Sequence, residues 1–86
     1  MSDPSSPRPV KRSLTLSGHR TSVTLEAPFW EEFRRLADLE GASINALASR
    51  IDAERDPEVS LSSAIRVFVL RAALERDPKN GNRFAE

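Results

Sequence analysis

Apolar and polar residues alternate twice near the start of the chain, first through Ser13-Leu14-Thr15-Leu16 and again, after Ser17-Gly18-His19, through Thr21-Ser22-Val23-Thr24-Leu25. A period of two carried by Thr, Val and Leu signals β-strand. The second stretch predicts a strand; Gly18 either folds the first back on it as a hairpin or leaves it an irregular lead-in. The period then lengthens to three and four. Phe29, Trp30, Phe33, Leu36 and Ala37 share one helix face, with Pro28 suited to the first turn, Glu31 and Glu32 near the positive end of the dipole, and Gly41 as a left-handed cap. Ser43 caps a second predicted helix with Ile44, Leu47, Ala48 and Ile51 on one face, running to about Arg55. After Asp56-Pro57, Ser60 or Ser62 caps a third, in which Leu61, Ala64, Ile65, Phe68, Val69, Ala72 and Ala73 make a broad apolar stripe. The pattern is mainly α with one N-terminal β-strand, or a hairpin.

Composition sets the boundaries. Met1–Pro9 holds three of the six prolines and three serines, so residues 1–10 are expected to form a disordered arm, residues 11–76 the domain, and residues 77–86, which open on Asp77-Pro78, a frayed tail. A chain of 86 residues buries a thin core, and with no cysteine and one histidine, disulfides and a metal site are closed to it. Oligomerisation is the route left. No apolar run reaches the roughly 7 to 15 residues of a signal-peptide core or the roughly 20 of a membrane span, which points to the cytoplasm. The formal net charge is zero, yet residues 1–25 carry Arg8, Lys11, Arg12 and Arg20 against Asp3 alone, while the remainder carries nine basic and twelve acidic side chains. The positive end is N-terminal.

The inventory for catalysis is poor: one imidazole, His19, in a turn, no thiol, no glycine-rich phosphate loop, and carboxylates that fall on solvent faces or loops. No enzyme activity, cofactor or metal is expected. A lone strand cannot satisfy its own backbone hydrogen bonds, and the nearest partner is the same strand of a second copy, giving a two-stranded antiparallel ribbon. Thr21, Val23 and Leu25 then face the helices while Arg20, Ser22 and Thr24 face outward, and such a ribbon fits the major groove of B-DNA.

The run RTSVTLEAPFWEEFRRLADLEGASINALASRI, residues 20–51, resembles the ribbon-helix-helix family of the Arc and methionine repressors, most specifically at Gly41-Ala42-Ser43-Ile44-Asn45-Ala46. The resemblance implies an intertwined homodimer with an additional C-terminal helix, acting as a transcriptional regulator that reads double-stranded DNA, in the manner of short bacterial repressors of this fold. It places Arg20, Ser22 and Thr24 at base edges, although Ser22 and Thr24 are short for bidentate contacts. It places a phosphate at the amides of Ile44 and Asn45, beside the Ser43 cap. Lys11 and Arg12, on the flexible arm, would add phosphate contacts. The shared dimer core would hold Val23, Leu25, Phe29, Trp30, Phe33, Leu36, Leu47, Ile51, Ile65 and Phe68. Leu61-Ser62-Ser63-Ala64-Ile65-Arg66 also reads like the opening of the family's second helix, an alignment that moves the phosphate grip to Ser62. A second function fits the same dimer: an antitoxin-like or adaptor module presenting its third helix to a partner protein.

Overall fold

The computed structural model describes residues 8–76; most of the expected arm and the tail at 77–86 lie outside the described residues. Two strands, β1 (Pro9–Leu16) and β2 (His19–Glu26), lead into three helices, α1 (Ala27–Leu39), α2 (Ile44–Glu54) and α3 (Leu61–Arg76). The strands pair antiparallel within one chain, Leu16 opposite His19 at the turn and Pro9 opposite Glu26 at the open end. This is the hairpin that Gly18 offered as one alternative. The reason is local: Ser17 and Gly18 both take positive φ, 51° and 85°. That is the two-residue turn whose twist matches the twist of paired strands. Lys11 and Arg12, expected on a flexible arm, are consequently strand residues, and β1 begins at Pro9.

The hairpin has an apolar inner face. Leu14, Leu16, Val23 and Leu25 are buried beneath the helices with Trp30, Phe33 and Ala37 of α1, Leu47, Ala48 and Ile51 of α2, and Leu61, Ile65 and Val69 of α3. Phe29, Leu36 and Phe68 are partly buried against this cluster. Phe33 is fully enclosed and meets Trp30 and Phe68 edge to face, with ring centroids 6.4 and 6.5 Å apart. Trp30 anchors β1 as well, since its Nε1–H donates to the Val10 carbonyl at 2.8 Å. All ten residues expected in a dimer core lie in or against this cluster, which Leu14 and Leu16 of the hairpin join.

The helix ends follow the sequence closely. Pro28 lies in the first turn of α1, and Gly41, at φ +68°, closes it: the Gly41 amide donates to Asp38 and the Ala42 amide to Ala37, at 3.0 and 2.9 Å. Ser43 caps α2 by accepting from the Ala46 amide, and Ser60 caps α3 by accepting from the Ser63 amide. α3 lies against the outer edge of β2. There the Thr24 amide donates to Ser62 Oγ at 3.1 Å, and the Thr24 carbonyl accepts from Arg66, whose guanidinium also binds the Glu26 carboxylate. α3 is apolar on both sides: Leu61, Ile65 and Val69 are buried, while Val67 and Leu70 are 46% and 55% exposed.

Candidate nucleic-acid interface

Strand alternation sends every second residue of the hairpin away from the helices. On β2 these are Arg20, Ser22 and Thr24, as expected from the sequence. Opposite them on β1 stand Thr15, Ser13 and Lys11. The outward face is thus a sheet of six polar residues, with Arg20 at the turn end and Lys11 at the open end, diagonally opposed. Sequence reasoning missed the contributions of Ser13 and Thr15, although the alternation Leu14-Thr15-Leu16 contained them. Thr24 is half-buried, because α3 covers the β2 edge beside it, while Ser22 and Arg20 are exposed. With strands about 4.8 Å apart, a two-stranded ribbon is narrow enough for a major groove about 12 Å wide.

The edges of the ribbon differ. The Thr24 amide and carbonyl point away from β1, so the antiparallel alternation turns the backbone groups of Ser22 and Arg20 outward on β2, and those of Lys11, Ser13 and Thr15 outward on β1. α3 occupies the β2 edge at Thr24. The β1 edge carries no such cover among the described residues.

Charge is sorted in the same way. On the helices, Arg35 pairs with Glu32, Arg50 with Glu40, Arg55 with Asp52, Arg66 with Glu26, and Arg76 with Glu32. Hydrogen bonding from Arg66 holds the Glu26 carboxyl below the usual carboxylate range, and Arg50 does the same for Glu40 while its own guanidinium is held more firmly protonated. Lys11 and Arg20 on the ribbon, with Arg12 and Arg34 beside it, meet no described carboxylate within salt-bridge distance, and neither does Arg71 on α3. Arg12 lies on the opposite face of β1 from Lys11, its guanidinium 5.5 Å from the centre of the Trp30 ring. Cations without local partners are available to an external anion.

Ser43, Ile44 and Asn45 are not brought to this face. It is the other end of α2, at Asp52 and Arg55, that borders the hairpin turn, in a cleft with Leu16, His19, Arg20 and Leu61. The eleven residues of α2 put its start about 16 Å along the helix from that end. The start of α3 lies beside the ribbon instead, but Ser62 Oγ is already bonded to the Thr24 amide. Among the described residues no group of His, Asp and Glu is arranged to hold a metal ion, and no helix is long and apolar enough to cross a membrane.

No curated protein and no solved structure matches the chain at a significant level. The family model for the ribbon-helix-helix domain matches residues 9–73, from the first residue of β1 through most of α3, and so spans both segments that read as the second helix. The match takes in the hairpin and all three helices, and the chain belongs to the ribbon-helix-helix family.

Proposed function

We propose that the protein is a transcriptional regulator, without catalytic activity of its own, that acts in the cytoplasm as a homodimer and reads the major groove of double-stranded DNA with the outward face of its hairpin. Domains of this family are generally those of DNA-binding regulators. The observation that carries the reading to this chain is the ribbon face itself: hydroxyls from Ser13, Thr15, Ser22 and Thr24 lie between two cations, Lys11 and Arg20, that no described carboxylate neutralises, whereas five of the seven arginines between residues 34 and 76 are paired. Arg20, exposed at the turn end, is the donor suited to a guanine edge, and the short hydroxyls add contacts of lower discrimination. Lys11, directed outward, serves either a base or a phosphate. The amides of Ile44 and Asn45 stand at the start of α2, a helix length from the turn end of the ribbon. Dimerisation is supported by α3, whose outer side exposes Val67 and Leu70 in spacing suited to another helix.

Retardation of the purified protein on its own upstream DNA and on a random duplex, at two salt concentrations, tests the reading. Arg20→Ala is expected to cost about 1 to 3 kcal/mol per contact on the preferred site and much less on random DNA. Binding of the wild type to neither duplex would refute it. The exposed Val67 and Leu70 also favour a second reading, a module presenting α3 to a partner protein. Under that reading Leu70→Glu abolishes partner capture while leaving DNA retardation at zero in both proteins.

A further inference from the structure

Beside the ribbon, β1 and α1 enclose an open cleft of about 280 Å³ lined by Val10, Arg12, Ala27, Trp30, Glu31 and Arg34. Its floor is rigid: Trp30 is only 3% exposed, and its ring is tied to β1 through the Val10 carbonyl. Arg12 lies over that ring with Cζ 5.5 Å from the centroid. A guanidinium held on an aromatic face keeps its N–H groups free to point outward as a planar fork, the geometry that suits a phosphate. Arg34 follows Trp30 by four residues on α1, which puts it on the same helix face, at the other side of the cleft. Neither arginine meets a described carboxylate within salt-bridge distance, although the next residue, Arg35, pairs with Glu32. Glu31 is the one acid lining the cleft, so its side chains carry a net single positive charge.

We propose that Arg12 and Arg34, on either side of Trp30, clamp a phosphate group, and that its occupant is a phosphodiester of the DNA strand that runs along the open edge of β1. The proposal rests on the reading of the hairpin as a DNA-binding ribbon. It adds a wall to that ribbon: with the outward face in the groove, the β1 edge faces one phosphate backbone, and the outward N–H groups of Lys11 and Ser13 lie on the same edge as the clamp. Position along the groove is then set by the clamp and sequence by the outward face.

Trp30 is the only tryptophan of the chain, so its fluorescence reports the clamp directly. Duplex DNA is expected to change Trp30 emission with the same midpoint as retardation. Arg34→Ala is expected to weaken specific and random duplexes equally and to flatten the dependence of log K on log salt by about 0.9 for each phosphate that the variant no longer neutralises. Glu31→Gln is expected to tighten both. Arg34 and Glu31 are exposed, so melting temperatures should hold and a folding defect does not intervene. Inorganic phosphate, titrated alone, separates the sources: a saturating Trp30 response to phosphate with none to duplex overturns the phosphodiester assignment. If Arg20→Ala weakens duplex binding while Arg34→Ala changes neither affinity nor salt slope, the clamp is overturned and the ribbon reading stands. If the wild type binds no duplex, the ribbon reading fails and takes this occupant with it.

Discussion

Substituting Gly18 decides whether the ribbon is built within the chain or between chains. In the hairpin Gly18 sits at φ +85°, a conformation that costs an L-residue roughly 1 to 2 kcal/mol. A Cβ placed there meets nothing within 4 Å, so the cost of Gly18→Ala is conformational with no steric addition. For a domain of this size each kcal/mol moves the melting temperature by about 4 to 8 °C, so Gly18→Ala is expected to lower it by roughly 4 to 16 °C. Ser17→Asn is expected to raise it, since Asn visits the left-handed region that Ser17 occupies at φ 51° more readily than serine does. Thermal melts by circular dichroism, at one protein concentration for all variants, measure both shifts. The sign is the discriminating result. If β2 paired with a second copy and residues 13–16 were an irregular lead-in, Gly18 would need no positive φ. Gly18→Ala would then stabilise by about 0.4 to 1 kcal/mol through the unfolded chain, and a rise in melting temperature would refute the intrachain hairpin.

Phe33→Ala removes the ring at the centre of the Trp30–Phe33–Phe68 cluster and is expected to cost about 3 to 5 kcal/mol in urea unfolding; a loss under about 1 kcal/mol would contradict its complete burial. Glu26, whose pKa is lowered by Arg66, contributes stability that is present above the ordinary carboxylate value of 4.5 and lost as pH falls through the lowered one. The gap in melting temperature between wild type and Glu26→Gln should accordingly be open at neutral pH and close below a pH of about 4.5; a gap independent of pH would rule the ion pair out as its source. Leu70→Glu, on the exposed side of α3, is expected to shift sedimentation toward the monomer without unfolding the chain, and an unchanged dimer would place the interface elsewhere.

The local elements were legible in the sequence because each is specified by residues close to one another in the chain. Ser43 caps α2, Gly41 closes α1 and Pro28 opens it because hydrogen bonding and φ preference act over three or four residues. The apolar spacings of Phe33, Leu47 and Ile65 placed them in the core for the same reason. The outward face of β2, Arg20-Ser22-Thr24, follows from a period of two and needed no tertiary information. What sequence could not settle were choices between partners at long range. Whether residues 13–16 form a strand against β2 or an irregular lead-in depends on the turn conformation at Ser17-Gly18 and on whether Leu14 and Leu16 reach the core, and the tertiary structure decided both for the hairpin. Arg12 shows the consequence: as part of an arm it would be a mobile charge, but the strand fixes it over Trp30, eighteen residues away. The docking of α3 against the β2 edge through Ser62 and Arg66 likewise spans about forty residues, and no periodicity encodes it. Capping and amphipathic periodicity are short-range and leave a trace in the chain; the pairing of edges and the placement of charges depend on which surfaces meet, and only the folded chain brings those together.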